Sequence, residues 1–534
     1  MSLARIDIFI IFLYMAGIMI MGVYFGRYVK SSKDYFIAGK MLPWWAIGLS
    51  LVVSDIGALD FIAVSGQGFE YGIVVANFDW IGCLPPMILG ALIFVPFYWR
   101  AGVYTIPEYL GLRYNSAVRA IQALLWGSFL ACMLGVMYWA TGLMFEVFIP
   151  IPDDLLGGAA RGLLEPFYGD NWKIMVYIIL VAVVVGIYTL AGGLSAVVMT
   201  DVVQLIIMYV GGVAIIVLGL IAVGGLGGLH DKIFALGPEY HNHFKLFLPA
   251  DSTTPYPWPG IIFGLAFVLA PAYWLGNQAI IQRTLGARTE WDAKAGIIWG
   301  GFVHALIPVL ITFPGMIALA LYAGHTSGDR AFPHLIRELL PPGLTGLVFA
   351  AFLAALMSSV DTNLNSAATV WMRDIYQKFF VRRASDRHYL RVGRLLTLVF
   401  IVWGILFAPV VTKFSGMYIA IQSFLTVIQG PNLALILLGM LWMRANAWGG
   451  LAGLFAGLTI SVSLFTLHHF LHIFTSDDPF LYIAWWSFVG SVIVIVVVSL
   501  LTRPEPIEKL RGLVFRLNRN DEDVQAALKE RAKK

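Results

Sequence analysis

The chain has 534 residues, of which 59% are hydrophobic and 12% charged, with a formal net charge of +4. A soluble globular domain carries about 25% charged residues, and the apolar residues here run in blocks of about 20, the length that spans the hydrocarbon core of a bilayer. A soluble globular domain is thereby excluded, and the fold class is an all-α polytopic membrane protein with the lipid bilayer as its surroundings and no nucleic-acid partner.

The first apolar block, "IFIIFLYMAGIMIMGVYF", is too long for a signal-peptide core and lacks a small-residue cleavage pattern, so it reads as a retained helix. Thirteen spans follow in order, at 7–26, 43–68, 75–98, 119–148, 171–190, 196–225, 258–283, 293–323, 342–375, 392–412, 416–440, 447–471 and 481–502. An odd number puts the termini on opposite sides. With the N-terminus outside, 27 of the 35 Lys and Arg fall on the inner side, among them Arg27, Lys30, Lys33 and Lys40. Outer loops such as "PIPDDLLGGAARGLLEPFYGD" are acidic, so the charge pattern predicts an inner-membrane protein with a cytoplasmic C-terminus. Cys83 and Cys132 both lie in apolar segments and read as small core residues, without a disulfide framework or a zinc site. No Walker A motif is visible, hence no ATP engine.

Charges at membrane depth are costly and face the protein interior. Asp55, Asp60, Asp79, Asp201, His304 and Asp361 lie deep in their spans, whereas Glu70 and Glu146 lie near span ends. The second span, "PWWAIGLSLVVSDIGALDFIAVSGQG", is interrupted at mid-depth by Ser54, Asp55 and Gly57. The seventh is interrupted at "LAPAYWLGNQ" (269–278), where Pro271 removes a backbone donor and Gly276 relaxes the chain. Two broken helices five spans apart suggest two five-helix inverted repeats and a secondary transporter with its site at the midplane. In "ALMSSVDTNLNSAATVWMRDIY" (355–376), Ser358 and Asp361 share one face and Ser359 and Thr362 another. Such oxygens suit a hard cation. Na⁺ is the natural candidate, with H⁺ and Li⁺ left open, and interhelical hydrogen bonding is the competing use of the same residues.

That segment, together with "GGLSAVVMTDVVQ" (192–204), "WPGIIFGLAFVLAPAYWLGNQAIIQR" (258–283) and "PEYLGLRY" (107–114), resembles the sodium:solute symporter family, most closely in its sodium/glucose branch. The resemblance runs from about residue 5 to 500. It implies the LeuT-type fold of two inverted five-helix repeats and uphill solute movement driven by Na⁺. The organisation is then a leading helix and cytoplasmic loop (1–42), a first repeat (43–225), an extracytoplasmic loop (226–257), a second repeat (258–440), two additional helices (441–502) and a cytoplasmic tail (503–534). The implied Na⁺ site uses the hydroxyls of Ser358 and Ser359 and the carbonyls of Val53, Ile56 and Ala355. Asp201, with Asp361 and Thr362, is implied in a second Na⁺ site or in coupling. The family usually has Ser or Thr where this chain has Asp361, and a carboxylate there suits a sodium or a proton equally.

The resemblance also implies a solute pocket of Asp55, Asp60, Asp79, Tyr273, His304 and Gln422, with Tyr273 as inner gate. Here Asp55 replaces Asn, Asp60 replaces His or Gln, Asp79 replaces Glu and His304 replaces Lys. More carboxylates and no Lys or Arg in the pocket segments favour a sugar or polyol, because hydroxyl groups donate readily to carboxylates. A cationic or zwitterionic amine is the alternative, and an anionic solute is disfavoured. A membrane sensor on a transporter scaffold is the rival of another class, but it would carry a large signalling domain. A channel would need a continuous polar pore, and no nucleophile–base set supports an enzyme. The expectation is a Na⁺/solute symporter, a monomer or loose oligomer.

Overall fold

A computed structural model describes residues 3–26, 36–57, 59–149, 151, 159–326, 328–413 and 417–515. Arg27, Lys30, Lys33, most of the acidic loop at 150–158 and the end of the tail from 516 lie outside the described residues. Among those described the chain is helical, with three isolated bridges between extended residues.

The main helices are α1 (Arg5–Gly26), α2 (Trp44–Asp55), α3 (Ser65–Tyr71), α4 (Asn77–Leu89), α5 (Ser116–Phe148), α6 (Trp172–Val223), α7 (Ala270–Gly276) and α8 (Gln278–Leu285). They continue with α9 (Glu290–His304), α10 (Ile307–Tyr322), α11 (Leu344–Val370), α12 (Asp386–Phe407), α13 (Met417–Leu441), α14 (Ala447–Leu471) and α15 (Phe480–Leu501).

Ten helical runs among the described residues are long and apolar enough to cross a membrane, or eleven with the bent pair Gly260–Gly276 and Gln278–Leu285. Two features account for the difference from the thirteen predicted. The span expected at 43–68 is broken, and its second half joins the next span in one run, Asp60–Ala101. A corner at Gly72 (φ 78°) links the two, held by the Asn77 amide donating to Val74 O and Leu246 O at 3.0 and 2.6 Å. The other is α1, a 22-residue apolar helix outside that count. The connector expected between 190 and 196 is helical, so α6 runs through both predicted spans.

Burial decides which helix is central. The apolar window of α11 is 83% buried, that of α14 only 28%. A helix buried on every side is the core of the bundle, and α11 is the one that carries the predicted Ser/Thr/Asp set. Helix α1 docks on it through Asp7, whose carboxylate accepts the Gly343 and Gly346 amides at 2.7 Å each. That carboxylate satisfies two orphan donors at the start of α11. Helices α2 and α9 approach through glycines: a Cβ on Gly48 would lie 2.7 Å from Gly296 O, and one on Gly300 would lie 3.1 Å from Gly48 O. This GxxxG-like contact brings the end of α2 beside the end of α9. Several basic residues of the 99–119 stretch act as clamps. Arg113 donates to Gly439 O and Trp442 O at the end of α13, and Arg119 pairs with buried Asp374 at 2.6 Å.

A short turn between two spans, Gly328–Arg330, ties the end of α3 to the start of α13. Glu70 accepts the Gly328 amide at 2.9 Å and Asp329 accepts the Met417 amide at 3.1 Å. Burial pushes the Asp329 carboxyl up to about 6; the nearby Glu70 charge acts in the same direction, and the Met417 amide opposes it. The native state therefore holds this proton more tightly than the unfolded chain, whose Asp titrates near 3.9. The stability it contributes is complete below about pH 4 and is lost as pH rises through about 6. Between pH 5 and 7 the thermal midpoint of the wild type should fall relative to that of Asp329→Asn. Parallel profiles in a thermal-shift assay would refute the assignment.

Candidate solute and ion site

The chain leaves the α-helix at Ile56 (φ −89°, ψ 99°) and resumes a wide, π-like helix at Asp60. Asp55 is the last residue of α2. Asp60 folds back so that its carboxylate accepts the Gly57 amide at 2.7 Å. The second break falls at Asn277 (φ −77°, ψ 120°), where α7 and α8 meet at 49° and the Asn277 side chain caps α8 by accepting from Ala279 N. Both predicted interruptions are thus real. At each break a side chain takes a freed backbone amide, Asp60 that of Gly57 and Asn277 that of Ala279.

A cavity of about 140 Å³ lies between the breaks. Asp55, Asp60, Asp79, Tyr273 and Gln422 all line it, as predicted. His304 stands one layer behind. It is fully buried, with Nε2 2.7 Å from Asp55 Oδ2 and Nδ1 3.6 Å from Asp79 Oδ1, and the Trp274 ring meets it edge-on at 5.7 Å. An aromatic cluster closes one end: Phe78 packs T-shaped on Tyr418 at 5.5 Å and on Tyr256 at 5.9 Å.

Below the cavity, α11 meets α6 with one of its two polar faces and α2 with the other. Ser358 donates to Asp201 Oδ1 of α6 at 2.6 Å, and Asp361, one turn on, accepts from Thr189 of the same helix. On the other face Ser359 Oγ lies 3.4 Å from Ser54 O, and Thr362 Oγ1 lies 3.1 Å from Ser54 Oγ. Gly57 packs so closely here that a Cβ would sit 2.8 Å from Ser359 Oγ. Val53 and Ile56 bracket the break and Ala355 lies one turn before the two serines, all buried. Asp361 thus meets the same helix as Asp201, one turn along α11 from Ser358.

Two residues escaped the sequence reading. Arg283, the last residue of "QAIIQR", is fully buried in the Asp201 cluster. Its guanidinium donates to Ser50 Oγ and Thr362 Oγ1 at 2.6 Å each, to Ala279 O at 2.6 Å, to Ser54 Oγ, and to Asp201 Oδ2 at 3.3 Å. The expectation that the pocket segments hold no Arg thus needs correction: Arg283 sits beneath the cavity, where it balances Asp201. The other is Cys83, whose Sγ is 3.9 Å from His304 Nε2 and which faces the cavity. Its spacing of four from Asp79 on α4 was the available signal.

The profile of the sodium:solute symporter family matches residues 35–457. The sodium/glucose cotransporter of Vibrio parahaemolyticus is 30% identical, the alignment covering 94% of this chain and 91% of that protein. Sodium/myo-inositol cotransporter 2 of Oryctolagus cuniculus is 32% identical, over 98% and 81% respectively. Among solved structures, the outward-open Na⁺-coupled sialic acid symporter superposes with a TM-score of 0.78 at 23% identity, covering 94% of this chain and 98% of that one. The transporter MHP1 in a closed conformation gives a TM-score of 0.55 at 14% identity, over 90% and 97%. The fold is the LeuT-type arrangement of two inverted repeats that the sequence predicted.

Proposed function

From its membership of the sodium:solute symporter family, which makes this multi-pass membrane protein a Na⁺-coupled symporter and not an enzyme, we propose that the solute it carries is a small sugar or polyol. The observation that carries this reading is the cavity wall, which Asp55, Asp60, Asp79 and Gln422 all line. Ionised carboxylates only accept hydrogen bonds, and a polyhydroxy ring supplies many donors. The relatives that carry glucose and myo-inositol support the same class.

Sodium would bind at the hydroxyls of Ser358 and Ser359 and at the carbonyls of Val53, Ile56 and Ala355, pulling the end of α2 onto α11. That ordering would fix Asp55 and Asp60 as one wall of the solute pocket. Tyr273 would close the inner side and the Phe78–Tyr418 cluster the outer. The N-terminus is assigned outside and the C-terminus to the cytoplasm, by the distribution of basic residues. The repeats are assigned to 43–225 and 258–440, each opening with one of the two breaks. One charge moving down 100 mV yields about 2.3 kcal/mol, and a tenfold Na⁺ gradient adds about 1.4 kcal/mol. A single ion then concentrates a neutral solute by two to three powers of ten.

A cationic amine is the second reading, favoured by the excess of three carboxylates over one imidazole at the cavity. Thermal stabilisation of the purified protein against sugars, polyols and amines, with and without Na⁺, separates the two. A polyol whose stabilising effect requires Na⁺ is the expected result. Stabilisation by amines alone would overturn it.

A further inference from the structure

One cluster at the cavity is chemically unlike a polyol-binding wall. One ligand atom from each of Asp55, Cys83 and His304 lies within 4.8 Å of the other two, and His304 Nε2 is 2.7 Å from Asp55 Oδ2 and 3.9 Å from Cys83 Sγ. They come from three helices, α2, α4 and α9, and are brought together by the close glycine contact of α2 with α9. We propose that these three side chains form a binding site for a first-row divalent transition metal of borderline softness, such as Zn²⁺ or Co²⁺, with its fourth position open to the cavity.

Carboxylate oxygen, imidazole nitrogen and thiolate sulfur are the donor set such ions select, and three protein ligands with one open position is the arrangement of an accessible zinc site. Metal–ligand bonds of about 2.0–2.3 Å place tetrahedral ligand atoms roughly 3.3–3.8 Å apart. An ion therefore needs the Asp55–His304 hydrogen bond to open by about half an ångström, the sulfur to close on Nε2 by less, and the Asp55 oxygen and the sulfur, which start within 4.8 Å, to end about 3.5 Å apart. Metal-bound histidines donate their second ring N–H to a carboxylate, which fixes the ring. His304 already has that partner: its Nδ1 is buried, makes no hydrogen bond under 3.5 Å, and is aimed at Asp79 Oδ1 at 3.6 Å. The Trp274 ring, edge-on to the imidazole, holds it from the side. Coordination displaces two protons: that of the Cys83 thiol leaves to solvent, and that of the Asp55–His304 hydrogen bond passes to His304 Nδ1, or to solvent where Nδ1 already carries one. Sodium and the metal are not rivals for this place, because it offers sulfur and nitrogen where the sodium oxygens lie on α11. Metal binding stands on these side chains alone; its competition with a transported solute rests on the pocket reading above.

The test is a Co²⁺ titration of the purified full-length protein, read by visible and near-ultraviolet absorption. Expected is saturation at one equivalent, with tetrahedral ligand-field bands and a sulfur-to-cobalt charge-transfer band, both erased by Zn²⁺. Cys83→Ser should lose the charge-transfer band and His304→Gln should weaken binding at least tenfold, while Cys132→Ser, which removes the chain's other cysteine, keeps both. In the Cys132→Ser background, Zn²⁺ should protect Cys83 from a small alkylating reagent, a readout that leaves the ligands intact. No sulfur-to-cobalt band in the wild type, a band retained in Cys83→Ser, or alkylation unaffected by Zn²⁺ would each overturn the site. Na⁺-dependent uptake in metal-free buffer judges the solute reading separately, whatever the cobalt result.

Discussion

Replacing Arg283 by glutamine is expected to abolish Na⁺-driven uptake and to lower the thermal midpoint more than any other single change at the site. The guanidinium is fully buried and serves five partners, Ser50, Ser54, Asp201, Ala279 and Thr362, on three different helices and its own. Glutamine keeps part of the length but removes the positive charge, leaving Asp201 with hydroxyl donors only. Breaking a buried pair by removing one partner costs about 3–5 kcal/mol, a large share of the roughly 5–15 kcal/mol that keeps a protein folded. Asp201→Asn combined with Arg283→Gln should restore much of the stability, since no charge is then left unbalanced, but not the uptake. Scanning fluorimetry and proteoliposome uptake on the two variants check this. A single variant as stable as wild type would mean that Arg283 does not balance Asp201.

Ser359→Ala is expected to do the opposite: little to stability and much to sodium dependence. Its hydroxyl makes a long 3.4 Å contact with Ser54 O, so the fold loses little when it goes. An oxygen facing a cation is worth about what a hydrogen bond to a charged group is worth, about 1.5–3 kcal/mol. That corresponds to a rise of about 10- to 100-fold in the Na⁺ concentration for half-maximal uptake. Uptake measured against Na⁺ at fixed solute decides it. An unchanged sodium dependence removes Ser359 from the ion site and with it the assignment of the α2–α11 contact.

Much of this was legible along the chain. Gly57 and Asp55 announced the first break, and "APAYWLGNQ" the second, because a helix interrupted in the bilayer needs residues that tolerate freed backbone groups. The second break falls at Asn277, inside that stretch, where its side chain caps α8. The pairing of Ser358 with Asp361 and of Ser359 with Thr362 followed from helical spacing, and each pair does face one partner helix. What spacing did not say was that the Asp361 carboxylate would accept from Thr189. Arg283 closes the span 258–283 and drew no reading of its own, because its depth depends on how far α8 is bent away from α7. His304 was read as a pocket residue, yet its place behind Asp55 and Asp79 was set by the glycine contact between α2 and α9.

The sequence alone determined that this is a helical membrane protein with two broken spans and one oxygen-rich helix, since apolar length, backbone-freeing residues and helical period are local properties. Tertiary structure decided which polar groups meet. Arg283 meets Asp201 across 82 positions and His304 meets Asp55 across 249. Without water in the bilayer, every buried charge must find its partner inside the bundle, and the partner it finds depends on helix rotation and crossing, which are fixed by packing between helices distant in the chain.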